Sequence, residues 1–429
     1  MARTVPPIPS DPGLPGARGL FGEEGRNAVR SFLSERGWMA GQIAPVQALY
    51  RPGRSLIVRY RVGATGPTGR RSLTVCAETR VRQRRAITVP PGFEARHGIA
   101  DPVARVGGTL LWAYPYDPSL PGLADAAWGP TVRATTGPRR PAAVSVRPLR
   151  YRPRRRAVFR YRTLHVGRRG RRWETSFGKV LSRDKADRLA AAAPALEAAG
   201  RRVPLAVPVA RAGRDVLVFP ALEGRSLRDV LVLGGSLPSP ARVAGLPGAL
   251  AVAVAEAGAE VRAERPPPMD LAVPGADLVA RLVPSAEDEA RRVVDAVRED
   301  GAREGMPKTI VHGDLYEAQV FVGEGFTLGL IDLDDLGRGD PALDAANFCA
   351  HLLALALAVP RAANRLVAYH RLVRPAFAEA LGLPTAALAW REALCMLLLA
   401  AGPFRVLDPA WPAEVGRHVA LAVRLLKEG

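Results

Sequence analysis

Apolar and polar positions along this 429-residue chain follow two different rhythms. In the first half strands dominate: residues 173–181 alternate apolar and polar, the period of a half-buried strand, and place Lys179 near the strand's end. Residues 1–20 are rich in Pro and Gly and read as irregular, while 27–36 has the spacing of a short amphipathic helix. Residues 183–200 read as a helix, kinked or broken at Pro194. A strand over 216–219 then runs into Pro220-Ala221-Leu222-Glu223-Gly224. Residues 226–233 read as a helix with Ser226 as its N-cap. From Ala241 onward the spacing is helical, with helices predicted over 249–264, 286–300, 343–359, 362–380, 385–399 and 412–427. Ser285 is placed to cap the second of these, with Asp288 at the capping-box position. One island interrupts the helices. Ile310-Val311, Val320-Phe321 and residues 326–331 read as short strands, and Gly323-Glu324-Gly325 as the turn of a hairpin between the last two.

The strand-rich half repeats itself. Tyr50-Arg51-Pro52-Gly53-Arg54 and Arg59-Tyr60-Arg61 recur as Tyr151-Arg152-Pro153-Arg154-Arg155 and Arg160-Tyr161-Arg162, at a constant offset of 101. Gly69-Arg70-Arg71 recurs as Gly170-Arg171-Arg172 at the same offset, and residues 110–115 resemble 215–220 at an offset of 105. Two copies of one supersecondary unit, joined by a linker over 131–145, account for the pattern.

Charge sharpens this division. Residues 1–230 hold 42 Lys+Arg against 16 Asp+Glu, whereas the remainder holds 19 against 25. A basic half and an acidic half serve different partners. Of the 61 basic residues only four are lysines (Lys179, Lys185, Lys308 and Lys427), which makes each of them informative. Twelve arginines between 147 and 172, with Tyr151, Phe159 and Tyr161 among them, raise a nucleic-acid reading. Their alternation at 150, 152, 154 and 156 is that of a strand with one solvated face, so no specific nucleic acid is expected as partner. Cys76, Cys349 and Cys395 lie far apart and imply neither a disulfide framework nor a metal site, as suits a reducing cytoplasm. The N-terminal stretch has no apolar core of a signal peptide. The apolar runs 351–360 and 395–402 are too short to span a bilayer, and no membrane partner is expected.

The chemistry is concentrated in 308–344. Asp314 follows His312-Gly313 at the end of a strand, Gln319 comes five residues later, and the hairpin's second strand ends on Asp332-Leu333-Asp334. The hairpin thus delivers carboxylates from two places to one point, with an amide oxygen between them. Phosphoryl transfer from a nucleotide needs such parts: a carboxylate to accept the hydrogen bond of an attacking hydroxyl, and oxygen ligands to hold Mg²⁺ against the phosphates. Asp314 fits the base, Asp332 the principal metal ligand, and Gln319 the second.

His312-Gly313-Asp314, Ile331-Asp332-Leu333-Asp334 and Gly339-Asp340-Pro341-Ala342-Leu343-Asp344, in that order, resemble the aminoglycoside phosphotransferase and choline kinase family. In that family an Asn stands where this chain has Gln319, and maltokinase-like sugar kinases are similar in having Gln. The resemblance covers about residues 146–429. It implies an α+β, bilobal protein-kinase-like fold, here preceded by a duplicated N-lobe-like domain. Residues 1–130 would be that repeat, 146–224 the nucleotide-binding lobe and hinge, and 225–429 the helical lobe. It further implies ATP or GTP as co-substrate, Mg²⁺ held by Gln319, Asp332 and Asp334, and Asp314 with His312 at the catalytic loop. Lys179 would bind phosphate with Glu197 as its ion-pair partner, and Pro220 and Leu222 would line the adenine at the hinge. His312 reads as a buttress of the loop rather than a proton carrier, and Asp344 as a cap or brace of the following helix. Glu78 stands at the offset of Lys179, and because a carboxylate repels phosphate the first copy is expected not to bind nucleotide. The acceptor would be a hydroxyl of an antibiotic, sugar or amino alcohol, and an acidic second half favours a cationic one. A maltokinase-like sugar kinase and a pseudokinase that binds a partner through its basic lobe stand as alternatives.

Overall fold

The structure, a computed structural model, describes residues 8 and 10–428 apart from 82–87, 136–140, 168–169, 214 and 304–305. The chain forms two compact units. The first comprises Met1–Ala190, Pro208–Pro220 and Gly402–Pro412. It opens with α1 (Glu23–Ser34), a few residues earlier than the apolar spacing placed it. Two antiparallel sheets follow. One contains β1 (Met39–Arg51), β2 (Ser55–Gly66), β3 (Gly69–Arg80), β4 (Val103–Val106) and β5 (Thr109–Ala113), with the short helix α2 (Phe93–His97) between β3 and β4. After α3 (Leu123–Ala126) and α4 (Gly129–Thr135), the other contains β6 (Ala143–Arg152), β7 (Arg156–Gly167), β8 (Gly170–Val180), β9 (Ala210–Ala212) and β10 (Val216–Pro220). α5 (Arg183–Ala199) lies between β8 and β9 and remains helical through Pro194, where a kink or break was expected.

Both sheets have one strand order, β1-β2-β3-β5-β4 and β6-β7-β8-β10-β9. Their registers match as well. Glu78 pairs with Ile57 on one side and Leu110 on the other, and Lys179 pairs with Val158 and Leu217. Alternation explains the burial. Val58, Tyr60 and Val62 on β2, like Phe159 and Tyr161 on β7, face the core; of the intervening arginines Arg61 is exposed, while Arg59 and Arg160 are half-buried. The linker expected over 131–145 is corrected: α4 reaches Thr135 and β6 begins at Ala143, leaving only 136–140 outside the described residues.

The second unit comprises Ala191–Val207, Ala221–Ala401 and Ala413–Gly429. Its helices are α6 (Leu227–Leu233), α7 (Pro240–Ala244), α8 (Leu246–Glu256), α9 (Pro268–Leu282), α10 (Glu287–Arg303), α11 (Pro341–Ala358), α12 (Ala363–Ala380) and α13 (Ala389–Leu399). α14 (Gly402–Arg405) belongs to the first unit, and α15 (Trp411–Leu426) closes the chain. Ser226 caps α6 as its sequence predicts, its Oγ accepting from Asp229 N–H at 3.1 Å.

The unit boundaries differ from those expected at 224 and 225, for two physical reasons. Residues 204–206 join the second unit through backbone bonds, Leu330 N–H to Pro204 O at 2.8 Å and Ala206 N–H to Leu330 O at 2.9 Å. Phe404 joins the first unit by packing on Phe21, Tyr50 and Trp411. The division falls between Pro220 and Ala221, within the segment read as a hinge. By length and composition, Pro341–Ala358 and Thr385–Arg405 could each cross a membrane, which the short apolar runs did not foretell. In this fold 56% and 78% of those windows are buried as core helices, the second containing the buried charges Arg391 and Glu392.

Candidate active site

Five short strands build the site. β13 (Val320–Val322) and β14 (Leu328–Leu330) form the expected hairpin, extended by β11 (Arg225–Ser226) on the far side of β13. β12 (Thr309–Val311) does not join them and pairs instead with β15 (Gly337–Gly339). The loop 312–319 therefore leaves one small sheet and enters the other. Ile331 N–H donates to Gln319 O at 3.0 Å, so the hairpin ladder extends to the residue before Asp332. At the end of that ladder the Gln319 amide donates to Asp332 Oδ2 at 3.0 Å. The structure thus brings these two predicted ligands into direct contact. Asp332 adopts a left-handed backbone (φ 66°, ψ 46°), a conformation that short polar side chains tolerate better than others. Asp334 follows in a single 3-10 turn, Leu333–Asp335.

His312 ties the two loops together. Its Nδ1 accepts from Asp314 N–H at 3.4 Å and its Nε2 donates to Ile331 O at 2.9 Å, which assigns the neutral tautomer protonated on Nε2. The ring is fully buried and both nitrogens are committed to backbone atoms. These bonds are those of a brace between the two loops. Asp344 is braced to the same loop, accepting from His312 N–H at 2.6 Å and from Gly313 N–H at 2.9 Å. Burial pushes its carboxyl above the ordinary range, against the pull of those two amides. The helix cap expected of Asp344 falls to Asp340, whose Oδ1 accepts from Ala342 N–H at 2.8 Å.

Three features escaped sequence reasoning. Arg265 donates from Nη2 to Gly313 O at 2.9 Å and reaches both the carbonyl and the carboxylate of Asp335, so one guanidinium links the Asp314 loop to the Asp332 loop. Its backbone N–H also bonds Arg338 O beside β15. Glu317, fully buried within the loop, pairs with Arg228 Nε at 2.7 Å. Burial raises its carboxyl above the ordinary range, and Arg228 opposes that rise. Arg391 has its guanidinium 2.8 Å from Asp340 Oδ2 and is fully buried. Chain distance hid the first and last: Arg265 lies 48 positions before Gly313, and Arg391 51 after Asp340.

Of the nucleotide-binding candidates, Lys179 is 8% exposed and lies 5.4 Å from the Phe219 ring centroid in the first unit. Pro220 ends β10 in the same unit, whereas Leu222 belongs to the second. Glu197 is exposed and also belongs to the second unit. A further cluster, Cys349, His370 and Glu392, lies buried among α11, α12 and α13. His370 Nε2 is only 2.5 Å from Glu392 Oε1, and Arg374 holds the other oxygen at 2.9 Å. Ligands on a tetrahedral Zn²⁺ stand about 3.3 Å apart, so this is a hydrogen-bonded charge network rather than a metal centre.

The family model described as "Phosphotransferase enzyme family" matches residues 131–383. No curated protein matches the chain. Among solved structures, the chain is similar to the aminoglycoside phosphotransferase APH(3'')-Id of Streptomyces rimosus, solved with ADP and streptomycin, at 19% identity and a TM-score of 0.39 over 59% of this chain and 92% of that one. It is similar to a choline/ethanolamine kinase family protein of Mesorhizobium loti at 17% identity and a TM-score of 0.45, over 71% and 93%. The macrolide 2'-phosphotransferase MphH of Brachybacterium faecium gives 17% and 0.37, over 66% and 92%.

Proposed function

The chain belongs to the phosphotransferase enzyme family, and we propose that it transfers the γ-phosphate of ATP or GTP to a hydroxyl of an antibiotic, sugar or amino alcohol. The contact between Gln319 and Asp332, at the far end of the His312 bridge from Asp314, carries this reading. It puts an amide and a carboxylate together beside the loop that bears a candidate base. The donor set fits Mg²⁺, since Asp332, Asp334 and the Gln319 amide offer hard oxygens. When bound, the ion would offset the negative charge of the phosphates. Asp314 accepts the hydrogen bond of the acceptor hydroxyl and orients it. His312, Asp344 and Arg265 keep the Asp314 loop in position. Lys179 takes phosphate. The acidic composition of the second half supports a cationic acceptor.

We further read residues 11–115 and 117–220 as two copies of one lobe, supported by their common strand order and register. Only the second has Lys179, and Glu78 occupies its position in the first.

Asp314→Asn tests the assignment. Its turnover is expected to fall on the order of 10²–10⁴-fold while Mg²⁺-nucleotide affinity is kept. Asp332→Ala is expected to weaken Mg²⁺-nucleotide binding more than Gln319→Ala, because a charged ligand contributes more to a hard cation. Calorimetric titration and transfer of labelled phosphate to a panel of hydroxyl acceptors measure both. Near-native turnover in Asp314→Asn would sink the assignment.

A further inference from the structure

The end of the second sheet that bears Lys179 is held from outside that sheet. Lys179 pairs with Val158, and the β6–β7 turn, Pro153-Arg154-Arg155, closes the same end of the sheet. Buried Asp117 grips this turn. Its Oδ2 accepts from Arg154 N–H and from the Tyr151 hydroxyl, both at 2.8 Å, while Oδ1 accepts from Ser119 N–H at 2.8 Å. The first sheet completes the grip. Trp112 Nε1 donates to the Tyr151 hydroxyl at 2.9 Å, and Arg59 donates to Tyr151 O at 2.9 Å. The Arg154 guanidinium reaches Ser119 Oγ at 3.0 Å, lies 5.3 Å from the Trp112 ring centroid and forms an ion pair with buried Glu78.

The same grip occurs once more in the chain. Asp11 Oδ2 accepts from the Tyr50 hydroxyl at 2.6 Å and from Gly53 N–H at 2.8 Å, and its Oδ1 from Gly13 N–H at 3.0 Å. Asp11-Pro12-Gly13-Leu14-Pro15-Gly16 and Asp117-Pro118-Ser119-Leu120-Pro121-Gly122 differ at one position. The two grips part at the turn itself. Gly53 has φ 63° and Arg154 φ 60°, a left-handed backbone that glycine adopts without steric cost and arginine does not. A glycine suffices to make this turn, as the first copy shows. The arginine is accounted for by its side chain, which fills the Glu78 socket of the preceding copy.

We propose that Asp117, Tyr151 and Arg154 are positioning residues that fix the β6–β7 turn for a nucleotide bound beside Lys179. The first copy is thereby the anchor of the second, with Glu78 at its own Lys179-equivalent position paired with Arg154. This rests on the kinase reading above.

The two grips supply their own control. In the full chain, Tyr151→Phe and Arg154→Gly would be compared with Tyr50→Phe, using calorimetry with Mg²⁺·ATP and Mg²⁺·GTP alongside thermal melts. Misplacing a group that positions a ligand predicts about tenfold weaker nucleotide binding in the first two. Tyr50→Phe, which loses an equivalent bond in the first copy, should melt lower yet bind as the native protein does. Unchanged binding in Tyr151→Phe and Arg154→Gly, or equal weakening in Tyr50→Phe, would make the grip purely structural and overturn the proposal. A native protein that binds neither nucleotide would overturn the kinase reading itself, and the proposal with it.

Discussion

Gly313 carries the tightest geometric demand at the site. Its φ is +80°, and a Cβ added there would collide with the carbonyl of Asp335 and come within 3.0 Å of Arg265 Nε. Left-handed strain and forced retreat of a backbone carbonyl together predict that Gly313→Ala costs about 2–4 kcal/mol of stability. It should also lower turnover, since Asp335 and the Asp332 loop shift with it. Denaturant unfolding and steady-state rates measure both, and an unchanged midpoint would mean that the loop is not packed as described. At this scale residue type and short spacing made the meeting of Gln319 with Asp332 legible. It was illegible for Arg265, because an arginine in an Arg-rich chain carries no mark of its partner. Its role follows from the crossing of 263–265 over β15, where Arg338 N–H bonds Ala263 O at 2.7 Å.

Among elements, the β13–β14 hairpin and the long helices α11, α12 and α15 follow the apolar spacing. α9 does not, since Pro274 and Gly275 interrupt its pattern and only tertiary packing restores the helix. β12 falls where Ile310-Val311 reads as a strand, whereas β15, three residues of which two are glycines, offers too little for a periodic signal. Their pairing matters because it delivers Asp340 to the start of α11. There Arg391 of α13 meets Asp340, and its Nη1 also bonds Ala387 O at 2.7 Å. Removing one partner of a buried pair leaves the other uncompensated, so Arg391→Met is expected to cost about 3–5 kcal/mol. Because Asp340 and Asp344 share the first turn of α11, the variant should also slow transfer in proportion to loosening of the Asp314 loop. Amide exchange at His312 and Gly313 would report that loosening, and protection equal to native would separate the helix from the loop.

For the whole molecule, the recurrence of the Tyr-Arg-Pro turns at an offset of 101 led to two sheets with one topology. The Asp-Pro-x-Leu-Pro-Gly segments recur at an offset of 106 instead, out of step with the turns they hold. The mismatch lies between Leu20 and Tyr50 in one case and between Ala126 and Tyr151 in the other. Tyr60 still finds Leu20 O, and Tyr161 finds Ala126 O at 2.9 Å. This arrangement decides where the gene can be cut. The family match starts at residue 131, a natural place to begin a shortened protein, yet Asp117 lies upstream of it. A protein starting at 131 would leave the Tyr151 hydroxyl without Asp117, whereas one starting at 117 keeps that acceptor. Melting temperatures are expected to fall from the full chain to 117–429 and again to 131–429; equal values for the two shorter proteins would show that Asp117 holds nothing. A segment outside the family match therefore ends as a working part of the lobe inside it, and a border drawn by likeness is not a border along which this protein comes apart.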